Sequence, residues 1–352
     1  MMAHSAPAVP IVDFSPFYSQ NETERLNTGT AIFEALRDVG FVYLINHRVS
    51  KELLAEALSQ SRAFFDLPLQ DKLKAPHPPE SWNQRGYSQI GQEKISLYPD
   101  ALNTGTESDA DRTSLTDVLE CKESFDLGRE NDTITPNIYP PPELLPNFRD
   151  VTIRLFNTLP NFGLDVLRAL ALGLQLKDEN FFSHFHGKDG QEAPMNQLRL
   201  LHYPPVSKEA ARKGGITRIA PHTDKGTITL LIQEDDSVGG LEVEAQRGGR
   251  YVPAPVIPGS ILLNIGDLLQ MWSNDTLRST RHRIGVPLVD VAQESGEWLL
   301  PRRFSIPYFI APDRDVVVEC LDTPLCWGEG RPKKHEPVKA WDYIVKNMEG
   351  AY

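Results

Sequence analysis

The sequence predicts a mainly β protein with flanking helices: a double-sheet β-architecture such as a jelly roll, behind a helical N-terminal region. Two observations carry this. Helical periodicity dominates the first half of the 352-residue chain, and after Asn196 it gives way to short apolar runs separated by Gly and Pro turns. Short strands at that spacing fold into sandwiches or barrels, which leave few open edges.

Taken in order, Val9 to Phe14 is a short apolar run with Pro10 inside it, which suits an edge strand because proline cannot donate to a ladder. From Glu22 to Val39 the residues Leu26, Ile32, Phe33 and Leu36 recur at near-helical spacing, and Gly40 supplies the stop. Phe41 to Ile45 reads as a strand. Lys51 to Phe65 is helical again, with Ser50 as N-cap, an apolar stripe of Leu53, Leu54, Leu58, Phe64 and Phe65, and Pro68 beyond its end. Between Pro99 and Cys121 the polar stretch Asn103 to Asp109 predicts an exposed loop inserted in the fold. A long helical pattern runs from Pro146 to Leu176, and Pro160 is expected to kink or split it because proline brings no N–H to the helix. The expected strands are then Gln197 to Tyr203, Thr227 to Gln233, Gly240 to Glu244, Ser260 to Ile265, Arg283 to Val289 and Arg303 to Ile310. This divides the chain into an N-terminal region (1–130), backing helices (131–195), a jelly-roll core (196–320) and a C-terminal extension (321–352).

Composition narrows the function. With 40% hydrophobic and 24% charged residues the chain reads as an ordinary globular protein. A net charge of -12, from 36 basic and 48 acidic residues, argues against a nucleic-acid partner, which requires clustered Lys and Arg. Three cysteines without C-x-x-C spacing argue against a disulfide framework or zinc ribbon and for a reducing compartment. No apolar run approaches the roughly 20 residues that span a bilayer, and the first residues lack the pattern of a signal segment. The expectation is a soluble cytoplasmic protein acting on a small molecule, with no membrane or protein partner implied.

The chemistry lies in His222-Thr223-Asp224 and the later His282. Residues two apart on an extended segment project to one side, and His282 lies far enough along the chain to come from another strand. Two imidazoles and one carboxylate form a facial metal triad with the opposite face open; the residue types admit iron, manganese or zinc. Of the other histidines, His184-x-His186 is read as part of a solvated loop, and His4, His47, His77 and His335 are set aside.

Alternation along Arg303-Phe304-Ser305-Ile306-Pro307-Tyr308-Phe309 puts Arg303, Ser305, Pro307 and Phe309 on one face. Inside a barrel a guanidinium without an anion is costly, and the strand supplies none, so Arg303 and Ser305 are expected to hold one carboxylate of a keto-acid co-substrate. On Leu198 to Tyr203, alternation sets Arg199, Leu201 and Tyr203 against Leu200 and His202. Tyr203 reads either as a support for the co-substrate or as a satisfied core tyrosine, and Arg199 either as a contact to the main substrate, with Phe309, or as an edge arginine.

At Arg85-Gly86-Tyr87-Ser88, Lys122-Glu123-Ser124-Phe125, Leu200-Leu201-His202-Tyr203-Pro204 and Trp272-Ser273-Asn274-Asp275 the sequence resembles the 2-oxoglutarate- and Fe(II)-dependent dioxygenase superfamily, in the branch that includes isopenicillin N synthase. Within that branch it looks most like fungal thymine 7-hydroxylases and fungal dioxygenases of natural-product pathways. The resemblance covers nearly the whole chain and implies a double-stranded β-helix with a metal in its mouth. It implies Fe(II) on His222, Asp224 and His282, 2-oxoglutarate on Arg303 and Ser305 with Tyr203 in support, and O2 as the second co-substrate. Leu201 departs from the Asn that plant relatives often carry two residues before the Tyr. The implied reaction hydroxylates, desaturates or rearranges a small organic substrate of fungal secondary metabolism and releases succinate and CO2. The alternatives are an Fe(II) oxidase of the same fold that uses no 2-oxoglutarate, a nucleobase hydroxylase, and a catalytically silent binding protein. Arg85 to Lys94 and Asp100 to Ser114 are expected to cover the mouth, and Gly86 to Ile90 to help shape the substrate site.

Overall fold

The structure, a computed structural model, describes residues 9–95, 119–187, 195–207, 216–235, 239–245, 249–285 and 299–348. Its first two α-helices begin at side-chain caps. Helix α1 (Glu22–Asp38) starts at Asn21, whose Oδ1 accepts from Thr23 N at 2.9 Å, and stops before Gly40, held at φ +80°. Helix α2 (Lys51–Phe65) starts at Ser50, whose Oγ accepts from Leu53 N at 3.2 Å. Of the apolar positions in α1, Ile32, Phe33 and Leu36 are buried, whereas Leu26 points outward at 47% exposure.

Helix α3 (Phe148–Gly173) corrects one expectation, because it runs unbroken through Pro160. Proline removes the N–H that would have bonded the Phe156 carbonyl, four residues back. The Tyr308 hydroxyl donates to that carbonyl instead, at 3.3 Å, so the break is mended by a tertiary contact. Gly29 and Gly173 let α1 lie close on α3: a Cβ on either would come within 2.4 Å of backbone oxygen across the contact.

Twelve strands make the two main sheets: β1 (Ile11–Asp13), β2 (Phe41–Ile45), β3 (Gly86–Ser88), β4 (Glu123–Leu127), β5 (Gln197–Tyr203), β6 (Ile219–His222), β7 (Ile228–Gln233), β8 (Leu241–Glu244), β9 (Tyr251–Pro253), β10 (Ile261–Ile265), β11 (His282–Ile284) and β12 (Arg303–Ile310). The major sheet has the order β1-β2-β10-β7-β12-β5-β4-β3, and the minor sheet β9-β8-β11-β6. Strand β1 is an edge, as the proline in its run predicts, and pairs parallel with β2. Strand β11 starts one residue earlier than expected, at His282, and is described to Ile284; the remainder of the expected Arg283 to Val289 strand lies mostly outside the described residues, as does the Asn103 to Asp109 insertion.

The major sheet separates two interiors. Its outer face carries Leu198, Leu200, Phe304, Ile306, Tyr308 and Ile310 into a core shared with α1, α2 and α3. Phe64, Phe125 and Phe148 meet there with ring centroids 4.8–5.2 Å apart, and each such pair adds about 0.5–1.5 kcal/mol beyond its buried area. The inner face meets the minor sheet across a smaller apolar cluster that includes Phe41, Leu201, Ile219, Leu241 and Ile284. The space left between the sheets is the cavity. Among the described residues, no helix is long and apolar enough to cross a membrane.

Candidate active site

Strand β6 is the edge of the minor sheet, which is why Pro221 is tolerated in it, and His222 is its last residue. His222 stands directly opposite His282 of β11 across an irregular register, with ring centroids 4.3 Å apart. The loop that leaves β6 is pinned by helix α4 (Asp267–Trp272), whose Asp267 N–H donates to the Asp224 carbonyl at 2.7 Å. The Asp267 carboxylate also accepts from Thr223 Oγ1 and Lys225 Nζ, each at 3.1 Å.

Both imidazoles are fixed in one tautomer. Nδ1 of His222 donates to the Ala220 carbonyl at 2.9 Å and Nδ1 of His282 to that of Thr280 at 3.2 Å, so both Nε2 lone pairs are available as ligands. Each Nε2 lies 3.9 Å from Oδ1 of Asp224. The three donors fall within 4.8 Å of one another, and side-chain turns of about an ångström close such a set on one divalent ion. Burial, reinforced by His282 alongside, pushes His222 down to about 3, so it is neutral and able to coordinate at physiological pH. Burial pushes the Asp224 carboxyl up, but the flanking imidazoles and hydrogen bonds from Asn264 and Thr229 bring it below its usual value.

The cavity beside this cluster holds about 140 Å³, and Arg303, Ser305, Pro307 and Phe309 line one wall as alternation predicts. Arg303 is fully buried and pairs in register with Tyr203, its guanidinium carbon 5.0 Å from the phenol ring centroid. Its Nη1 donates to Ser305 Oγ at 3.1 Å and its Nη2 to Gln233 Oε1 at 2.9 Å, while Nε has no partner among the described residues. Among those residues no carboxylate forms an ion pair with it. Burial pushes its pKa below the ordinary arginine value.

Arg199 lines the same cavity in a different electrostatic setting. Its Nε donates to Asp126 Oδ1 at 2.6 Å, its Nη1 to Glu93 at 3.0 and 3.1 Å, and its Nη2 to Gln84. Lys122 is a second cation on Glu93. Burial pushes Glu93 up, but Arg199 and Lys122 outweigh it and hold the carboxylate far below its usual range.

Several expectations are corrected here. His186 is not solvated: it is buried against Trp272, with Nδ1 on the Phe182 carbonyl at 2.7 Å and Nε2 on Thr227 Oγ1 at 2.9 Å, whereas His184 is exposed, as expected, and pairs with Asp178. The Arg85 to Lys94 segment is built into the protein, with Arg85, Ser88 and Glu93 buried and Arg85 bonded to Thr135. Gly86 to Ile90 do not line the cavity. Asp100 to Ser114 lies outside the described residues. Sequence reasoning also missed Ile344 and Met348, which bring helix α5 (Ala340–Met348) of the C-terminal extension to the cavity wall. It missed Thr229 and Asn264 as well, although a polar residue inside each apolar run, Ile228 to Ile232 and Ile261 to Ile265, was a visible signal.

Two facing sheets with a buried His-Asp-His cluster between them define the class: jelly-roll enzymes built around one metal ion with an open face. Comparison with known proteins extends this to the family. Residues 9–147 match the family model described as non-haem dioxygenase in morphine synthesis N-terminal, and residues 194–312 match the 2OG-Fe(II) oxygenase superfamily. The chain is 36% identical to the 2-oxoglutarate-Fe(II) type oxidoreductase ppzD of Metarhizium rileyi, over 98% of this chain and 91% of that protein. It is also 36% identical to the proline hydroxylase buaE of Petromyces alliaceus, over 97% and 98% of the two chains. Among solved structures, the full-length thymine 7-hydroxylase of Neurospora crassa in complex with alpha-KG and thymine superposes with a TM-score of 0.83 at 31% identity, covering 100% of this chain and 99% of that one. The chain belongs to the 2OG-Fe(II) oxygenase superfamily. It is a 2-oxoglutarate-dependent dioxygenase, with Fe(II) as its cofactor and 2-oxoglutarate and O2 as its co-substrates.

Proposed function

We propose that His222, Asp224 and His282 hold the Fe(II), that Arg303 and Ser305 hold the distal carboxylate of 2-oxoglutarate with Tyr203 beside it, and that the rest of the cavity takes a small organic substrate of a fungal biosynthetic pathway. The observation that carries this is Arg303: a fully buried cation that forms no ion pair with a carboxylate among the described residues, on a wall of the same cavity as the metal cluster. Bound Fe(II), 2-oxoglutarate and O2 together supply the oxidising power, and the keto acid is released as succinate and CO2.

The protein's own residues orient and enclose. Ser305 and Gln233 set the plane of the Arg303 guanidinium, so that it meets a carboxylate in one fixed direction. Leu201, Phe309, Ile344 and Met348 give the cavity apolar walls, which keep water from the reacting carbon. Arg199 forms wall as well, with its charge balanced by Asp126 and Glu93, so we assign it the shape of the substrate site rather than a carboxylate contact. The free thiols of Cys121, Cys320 and Cys326 agree with a cytoplasmic setting.

Succinate release tests this reading directly, with L-proline and thymine as first probes because relatives are named for them. Turnover of a small substrate that requires both Fe(II) and 2-oxoglutarate supports it. Oxidation at an undiminished rate without 2-oxoglutarate overturns it in favour of an oxidase.

A further inference from the structure

Thr229 of β7 and Asn264 of β10 are direct partners across antiparallel strands, and both side chains converge on one oxygen of Asp224. Thr229 Oγ1 donates to Oδ2 at 2.5 Å and Asn264 Nδ2 donates to the same Oδ2 at 2.7 Å. The other oxygen, Oδ1, is the one that faces the two Nε2 atoms at 3.9 Å. All three residues are buried: Thr229 and Asn264 are each 3% exposed and Asp224 8%. On the same faces of their strands stand Leu231 and Leu262, so an apolar residue at either position would match its neighbours.

The carboxylate is therefore divided in use. Both acceptor directions of Oδ2 are engaged by the protein, and Oδ1 is left for the ion. A carboxylate without such anchors can turn and bind an ion through both oxygens, which removes one open coordination position. We propose that Thr229 and Asn264 are positioning residues that hold Asp224 as a one-oxygen ligand and so preserve the open face of the metal. The proposal rests on the reading that Asp224 binds the metal.

The test is Co(II) binding to the full chain freed of metal, followed by calorimetry and by the visible d–d spectrum, which reports coordination number. Thr229→Val keeps the shape and loses the donor, Thr229→Ser restores it, and Asn264→Leu removes the other. Thr229→Val and Asn264→Leu are each expected to weaken Co(II) roughly 10- to 100-fold and to alter the spectrum, with Thr229→Ser close to the parent. A merely structural role would lower the stability of the metal-free protein and leave the affinity and spectrum of its folded fraction unchanged. That result overturns the proposal. If Asn264→Leu does not fold, Asn264→Ser takes its place, and parent-like affinity and spectrum in both it and Thr229→Val have the same force. Should the parent itself fail to bind Co(II), the metal assignment falls first; parent binding with unaffected variants removes only the positioning claim.

Discussion

Arg303 and Arg199 stand on neighbouring antiparallel strands, face one cavity and are both buried, at 0% and 6% exposure, yet their surroundings are opposite. Arg199 lies between two carboxylates, Asp126 and Glu93, whereas among the described residues Arg303 bonds a hydroxyl and an amide oxygen beside a phenol ring, with Glu234 acting on it without forming an ion pair. A buried charge that carries its own counterion is part of the wall. A buried charge without one supports the proposal that Arg303 takes an anionic ligand. The two arginines should therefore fail in different ways when changed.

The largest effect on stability is expected at Arg199. Arg199→Met leaves Asp126 and Glu93 short of a buried cation and is expected to lower unfolding free energy by about 3–5 kcal/mol in denaturant titrations. The affinity of the folded protein for 2-oxoglutarate should stay within about threefold of the parent. Arg303→Met should show the reverse: Tm holds or rises because an unpaired charge is gone, while 2-oxoglutarate binding weakens by about 2–5 kcal/mol. Equal losses of stability at both positions would erase the distinction.

His186 extends the contrast to a buried group whose partners are neutral. Burial pushes it down to about 4 from about 6.5 in the unfolded chain, so folding keeps it uncharged. Its contribution is complete above pH 6.5 and is lost as pH falls from 6.5 towards 4, because the unfolded state takes up the proton first. That window is worth about 3 kcal/mol, and His186→Gln is expected to flatten the parent's loss of stability within it, as read by denaturation at pH 7 and pH 4.5. The smallest effect belongs to the C-terminal helix. Met348→Ala should raise KM for the oxidised substrate several-fold, about 1 kcal/mol, with 2-oxoglutarate affinity unchanged, since it trims a wall and no anchor.

What was legible in the sequence follows from the range of the interactions. The inward row Arg303, Ser305, Pro307, Phe309 and the pair His222, Asp224 follow from the two-residue period of an extended chain, and the capped start of α2 follows from Ser50. The counterions of Arg199 were not legible, because Asp126 and Glu93 lie 73 and 106 residues away from it in the chain. Pro160 misled for the same reason: the hydroxyl that mends the helix comes from Tyr308, 152 residues on from Phe156. His186 read as loop because its neighbours are polar, and only the fold brings Trp272 and Thr227 against it. Tertiary contacts decided these cases against local pattern.

Whether Arg303 is the anchor of the keto acid can be read from anaerobic titration of the Fe(II)-loaded protein with 2-oxoglutarate, followed through the weak visible charge-transfer band of the chelate, in the parent, Arg199→Met and Arg303→Met. The band is expected in the parent and in Arg199→Met at similar 2-oxoglutarate concentrations, and in Arg303→Met only at concentrations roughly 30-fold higher or more. Parent-like titration by Arg303→Met would contradict this assignment, because the keto acid would then be held elsewhere.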